Sequence, residues 1–381
     1  MARATTGSEL TAASGSSFVP AWASAQDNAA LRRLLRETPM PGRIRITLEC
    51  EPDFFRATKL GWARHYTALA REPAMGEVFA MCSRSVRTVF LNGTPVPLGY
   101  LSQLRVFPEH RAHKLRLLKM GFAWMTENHD PADAPFDITT VVEDNSRARR
   151  LLTAGVPGLP LYSELERMLT FLLPVGRSRA RGISPVTRGR SAFQGEIVDC
   201  LHRFCRRHQF APHWTAADFW SGRAGQVEAG GRAACFEDFF VVLRGDKVAG
   251  CVALWDQRAY KQVVVRGYSG PLACSRPVLN FLGAGLPACG SVLPLAWLSH
   301  LAVDDDDPEI FGSLVDAVKA GLRGRSDVRW LAMMLAVRHP LVPVARRLGE
   351  HSYASRLFAV HAQETHVELD GRIPYLEGAL L

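Results

Sequence analysis

Residues 99–111 read Gly99-Tyr100-Leu101-Ser102-Gln103-Leu104-Arg105-Val106-Phe107-Pro108-Glu109-His110-Arg111, and residues 142–152 read Val142-Glu143-Asp144-Asn145-Ser146-Arg147-Ala148-Arg149-Arg150-Leu151-Leu152. The first changes period at Pro108. Leu101–Phe107 reads as a strand, whereas Leu115, Leu118, Phe122 and Met125 recur at helical spacing, which predicts a helix over Arg111–Glu127. A strand that turns straight into a helix aims the helix's first free N–H groups and the positive end of its dipole at one spot, a site for pyrophosphate. Arg111, His113, Lys114 and Arg116 gather cationic and titratable side chains at that turn. The second stretch follows a strand, Phe136–Val142. Asn145 is suited to capping a helix that runs through Ala148, Leu151 and Leu152 to about Ala154, and Leu165–Leu173 returns as strand.

Working outward, Ser24–Arg36 reads as a short amphipathic helix stopped by Pro39 and Pro41, Arg43–Leu48 as a strand, and Pro52–Ala70 as a helix. Val78–Phe107 is strand-rich, with Asn92-Gly93 at a tight turn, so an antiparallel meander is expected. Pro174–Arg190 carries five arginines among Gly, Ser and Pro, the composition of a linker. No aromatic residues are interleaved there to stack bases, which favours a solvated linker over a nucleic-acid arm. Beyond it a helix over Glu196–His208, strands Phe239–Leu243 and Lys247–Trp255, strand Leu295–Val303, helix Pro308–Leu322, strand Val328–Leu335 and helix Leu341–Leu348 repeat the earlier order with little residue identity.

A chain of 381 residues exceeds what one core usually serves, so two domains are expected: a tail over 1–23, a first domain over 24–173, a linker over 174–190 and a second domain over 191–381. The net charge of +9 attracts anions without choosing among them. Eight cysteines without a CxxC pair fit reduced thiols in a cytoplasmic protein. Cys200 and Cys205, with His202 and His208 nearby, lack a second pair at zinc spacing; they read as buried thiols on an amphipathic helix, and no metal is expected. The Ala/Ser/Thr-rich opening assembles no signal-peptide core, and no stretch approaches the roughly 20 apolar residues of a membrane helix.

With these motifs, L-x-V-x-P-x-x-R feeding a helix and N-x-x-A-R-x-L-L opening the next, the sequence resembles the GNAT superfamily of acyl-CoA-dependent N-acyltransferases. The resemblance covers about Arg43–Leu173, with a looser copy over Glu196–Val360. It implies an α/β (α+β) fold of two tandem domains, each a mixed, largely antiparallel twisted sheet flanked by helices, in which two strands splay and acyl-CoA lies in the notch. It implies acetyl-CoA or another acyl-CoA as co-substrate. The backbone of Leu104 and Val106 would bond the pantetheine amides, the turn Arg111, His113, Lys114, Leu115 and Arg116 would hold the pyrophosphate, and Asn145 and Arg149 would approach it from the next helix. Tyr162 stands near where the family often places a general acid. The turn departs from the family's pattern, since residues 111–116 contain no glycine to let the backbone close on phosphates.

In the second half the corresponding turn is Asp304-Asp305-Asp306-Asp307-Pro308, which suits a helix N-terminus and would repel a pyrophosphate. CoA is therefore expected in the first half alone. The expected function is N-acyl transfer, in particular acetyl transfer, from acyl-CoA to an amine by direct transfer in a ternary complex; Glu143 and Glu109 read as counter-ions beside the basic turn, with either acting as base through water as the alternative, and no general base is assigned. The alternative is a noncatalytic protein that keeps the scaffold and binds CoA or another ligand.

Overall fold

The computed structural model describes residues 18, 20–72, 75–176, 184–219, 233–281, 286–349 and 351–381. The first half runs β1 (Pro20–Trp22), α1 (Asn28–Glu37), β2 (Ile44–Glu49), α2 (Phe54–Lys59), β3 (Arg64–Arg71), β4 (Val78–Leu91), β5 (Thr94–Val106), α3 (Lys114–Glu127), β6 (Phe136–Val142), α4 (Ser146–Leu152) and β7 (Leu161–Pro174). The second half runs β8 (Val186–Arg188), α5 (Gln194–Cys205), β9 (Phe239–Arg244), β10 (Lys247–Trp255), β11 (Gln262–Tyr268), α6 (Gly270–Phe281), β12 (Leu295–Val303), α7 (Pro308–Gly321), β13 (Trp330–Ala336), α8 (Val342–Leu348) and β14 (His351–His361).

Among the described residues, twelve of these strands form one sheet in the order β1-β3-β4-β5-β6-β14-β7-β13-β12-β10-β9-β8, while β2 and β11 pair separately. The neighbours are antiparallel except at two places, β5 beside β6 and β12 beside β13. The order is symmetric about its centre. Each half lends its last strand to the other: β14 lies against β6, and β7 lies against β13. The two lent strands pair with each other along almost their whole length, from His351↔Leu172 to His361↔Leu161.

The apolar pattern explains these positions. β7 and β14 carry Met168, Leu169, Phe171, Leu173, Leu357, Phe358, Ala359 and Val360, all buried, a density suited to central strands covered on both faces. Helix α1 turns Leu31, Leu34 and Leu35 inward, and α7 buries Ile310, Phe311, Leu314, Val315 and Val318. Arg87 of β4 stitches the halves together, its guanidinium stacked 4.2 Å from the Trp214 ring and donating to the Gly61 carbonyl.

Several local expectations are corrected. The predicted helix over Pro52–Ala70 is a short helix, α2, followed by strand β3. Its aromatic and β-branched residues His65, Tyr66 and Thr67 suit a strand, and Gly61 in a left-handed conformation (φ 83°) separates the two. Phe18 and Pro20–Trp22, read as the end of a tail, join the fold: Phe18 is buried and β1 pairs with β3. The rest of that tail, residues 1–17 and 19, lies outside the described residues, as do 177–183 of the linker and Trp220. Val186–Arg188, at the linker's end, is strand β8.

Candidate functional site

β5 and β6 run parallel only at Gly99↔Asp137 and Tyr100↔Ile138, then part. At the fork the Thr139 hydroxyl donates to the Leu101 carbonyl at 2.8 Å, replacing the ladder bond that the splay removes. Closing the other end needs a glycine. A Cβ on Gly99 would fall 1.9 Å from Asp137 Oδ1 and 2.7 Å from Arg84 Nε, so the bare backbone lets this ion pair cross over β5. Arg84 bridges Asp137 and the fully buried Asp133.

A bulge bends β5 inside the notch. Pairing with β4 slips between Met81↔Arg105 and Ser83↔Ser102, and Gln103 takes a left-handed conformation (φ 52°). Leu104 is exposed on the splayed half (42%). Its carbonyl, expected to be free, accepts Nη1 of Arg105 at 3.0 Å. Burial pushes the Arg105 guanidinium down to about 10, and its Nε finds no acceptor among the described residues. No described backbone pairing joins Leu101–Val106 to β6.

Beyond Val106 the chain enters a 3-10 turn, Pro108–His113, before α3 begins at Lys114. The predicted helix start at Arg111 thus lies in a tighter turn. None of its residues has positive φ, so the backbone forms no anion-binding nest. Arg111, His113, Lys114 and Leu115 are exposed there and Arg116 half-buried. Phe18 seats this turn, packing 5.0 Å from Phe79 and 5.5 Å from both His113 and the Arg116 guanidinium. On the facing side, Asn145 caps α4 through its side-chain oxygen, which accepts the Ala148 N–H at 3.3 Å. One turn on, Arg149 keeps a buried Nε without a partner among the described residues.

Tyr162, the second residue of β7, lies in a row with Val360 of β14 and Asp137 of β6, two strands from the β6 side of the notch. Its ring packs between Phe122 of α3 (6.4 Å) and Phe358 of β14 (6.1 Å). Its hydroxyl makes no hydrogen bond among the described residues. Burial, with Cys82 and Asp137 adding, pushes this phenol well above its usual range, so it stays protonated at neutral pH. Glu143 does not suit a base. Arg167 binds it through two nitrogens (2.9 and 2.8 Å) and Arg356 through a third (2.6 Å), holding its carboxyl below the ordinary range.

The second half repeats the design with other contents. β12 and β13 pair from Leu295↔Trp330 to Trp297↔Ala332 and then part, and β12 carries a left-handed bulge residue, His300 (φ 52°). This notch is filled by the chain's own residues 375–380. Glu377 accepts the His300 N–H at 2.8 Å, and Gly378 sits where a Cβ would lie 2.6 Å from Trp297 and 3.1 Å from Met334. At the turn, Asp307 caps α7 through Glu309 and Ile310 N–H. Asp304 pairs with Arg203 and Lys247, Asp306 with Arg207 and Asp307 with Arg244. His208, Asp306 and His339 come within 4.8 Å of one another. The Leu341 N–H, however, donates to His339 Nδ1, which puts that ring's proton on Nε2 and leaves no lone pair there for a metal.

Among solved structures, Saccharomyces cerevisiae N-myristoyltransferase with bound myristoyl-CoA is similar at a TM-score of 0.57 and 12% identity, over 93% of this chain and 88% of that one. A second structure of that enzyme with myristoyl-CoA gives the same values over 94% and 84%. A GCN5-related N-acetyltransferase from Anabaena variabilis is more distant, with a TM-score of 0.48 at 11% identity. No family model matches the chain, and no curated protein matches it. The chain therefore shares the fold of that N-myristoyltransferase, mixed α/β around a largely antiparallel sheet.

Proposed function

We propose that the protein transfers an acyl group from acyl-CoA to an amine, with the cofactor in the first-half notch. The observation that carries this is the open splay of β5 and β6 ending on the basic turn 108–116, on a fold shared with an enzyme seen with myristoyl-CoA. The residues fit the group. Arg111 and Lys114 are exposed cations at the start of α3, and Arg105 and Arg149 each keep a buried Nε that a phosphate oxygen would satisfy. The splayed backbone of Val106 is available to the pantetheine amides as an added strand, and that of Leu104 once its carbonyl gives up Arg105 Nη1. In the reaction the amine nitrogen attacks the thioester carbonyl, a C–N bond forms, the C–S bond breaks, the nitrogen loses a proton and the sulfur gains one. Tyr162, buried and protonated beneath Phe122 of α3, is the residue assigned as donor to that sulfur.

The noncatalytic alternative draws on one observation, the absence of a backbone nest at residues 108–116. Thermal unfolding with acetyl-CoA and myristoyl-CoA separates the two, together with release of free CoA in the presence of amines. Binding at 100 times the dissociation constant adds about 2.7 kcal/mol of stability. No shift with either compound overturns the acyl-CoA assignment; a shift without CoA release under any amine favours the noncatalytic protein.

A further inference from the structure

Helix α6 turns its apolar side outward. Pro271, Cys274, Val278 and Phe281 follow one another at three and four residues, so they share one face, and all four are exposed, Val278 by 61% and Phe281 by 90%. The other face carries Ser275, Arg276 and Asn280 beside Leu272 and Leu279, all half-buried. It is the polar face that is held. Asn280 donates to the Leu286 carbonyl at 3.0 Å and accepts the Leu286 N–H at 2.6 Å, and the Arg276 guanidinium lies 5.3 Å over the Tyr268 ring. The helix cannot roll its apolar stripe inward without giving up these contacts. A soluble surface helix has the opposite arrangement, which marks this stripe as a contact face.

The segments around it carry charge of one sign. Residues 38–48 and 257–303, which hold β2, β11 and α6, contain no Asp or Glu but contain Arg43, Arg45, Arg258, Lys261, Arg266 and Arg276. Two of these cations stand at the start of α6. The Arg43 carbonyl accepts the N–H of Ser269, the residue before the helix, at 3.0 Å, and Arg45 lies across Gly267, where a Cβ would meet its guanidinium at 2.4 Å. Arg43, Arg45 and the Ile44 between them are exposed, and neither arginine forms an ion pair among the described residues. Glu49, at the end of β2, is buried and bound by Arg266.

We infer that this face seats the protein on an anionic lipid bilayer, with α6 lying in the plane of the surface, Val278 and Phe281 among the acyl chains, and Arg43 and Arg45 at the lipid phosphates. Burying the stripe removes apolar surface from water, and arginines near an anionic leaflet are drawn to it. A bilayer fits better than a second copy of the chain. Two such faces in contact would set Arg43 and Arg45 against their own counterparts with no carboxylate from these segments between them. Such seating does not depend on what the first notch binds.

The test is cosedimentation of the full chain with vesicles of phosphatidylcholine alone and of phosphatidylcholine mixed with phosphatidylserine. Wild type is expected to bind the mixed vesicles about tenfold more tightly than the neutral ones. Val278→Asp with Phe281→Asp, both at exposed positions, should weaken that binding at least about tenfold and leave the unfolding midpoint in place. Arg43→Gln with Arg45→Gln should remove most of the preference for phosphatidylserine. Should the aspartate pair not fold, an environment-sensitive dye on Cys274, with the other exposed cysteine removed by Cys289→Ser, gives a second reading, and its emission is expected to shift to the blue on mixed vesicles. The membrane assignment is overturned by absence of binding, by binding that the aspartates leave unchanged, by equal binding to both vesicles, by a preference that the glutamines leave intact, or by a dye that does not respond. A wild-type dimer that Phe281→Asp separates, seen by sedimentation velocity, makes the face a contact between copies and also overturns it.

Discussion

The two notches share their geometry and differ in what fills them. Each is made by two parallel strands that part after two or three paired residues, and each has a left-handed residue bulging from the longer strand, Gln103 in one and His300 in the other. In the first the splayed strand is partly exposed and its turn is basic. In the second, β12 from Leu298 to Val303 is buried, a segment of the same chain lies in the gap, and the turn's acids are consumed by arginines and a cap. One backbone plan therefore forms an open notch or ordinary core, and the side chains at the turn and the covering segment decide which.

Four variants separate the roles of these regions, from largest effect to smallest. Gly99→Ala is expected to cost about 4 kcal/mol in urea unfolding, because its methyl group displaces one partner of the buried Arg84–Asp137 pair that closes the first notch. His300→Gln gives the second bulge the residue of the first. Burial, aided by Arg87, holds His300 down to about 3, below its ordinary 6.5. Its contribution is complete above pH 6.5 and is lost as pH falls through 6.5 toward 3. The variant should therefore lose roughly 3 kcal/mol less than wild type between pH 6.5 and 4, read from denaturant midpoints. Reversing two charges with Arg111→Glu and Lys114→Glu is expected to weaken acetyl-CoA binding about 100-fold by calorimetry, roughly 2.7 kcal/mol, and to leave the unfolding midpoint without ligand in place. Undiminished affinity would remove the phosphate from this turn. Asp307→Ala removes the α7 cap and should cost about 1 kcal/mol of stability without touching acyl-CoA affinity.

The motifs around Leu101–Arg111 and Asn145–Leu152 made the fold legible because they sit where period changes, and the local sequence dictates those changes. The contrast between basic and acidic turns was legible for the same reason. Less visible was whatever depended on distant partners. Nothing local in His351–His361 announces that it pairs with Phe136–Val142, more than 200 residues earlier. Phe18 looked like tail because its contacts, Phe79 and His113, come from other elements. Within the site, Tyr162, Asn145 and the turn residues stand out in the sequence, whereas nothing local marks Arg105 or Gln103. Gln103 is set apart by its left-handed bulge, and strand β3 lies in a segment whose sequence reads as helix. An alternation of Arg64, His65, Tyr66, Thr67 and Ala68 was the available signal for that strand.

The exchange of β7 and β14 has a consequence for how the chain is made. When residues 1–174 have left the ribosome, β6 has its parallel neighbour but not its antiparallel one, so one edge of the forming sheet stays bare until His361 has followed. Synthesis at the usual 5–20 residues per second leaves that edge open for roughly ten to forty seconds. Neither half is complete alone, and the first-half notch, though built from early residues, has its inner strand β6 flanked on the far side only once β14 is synthesised.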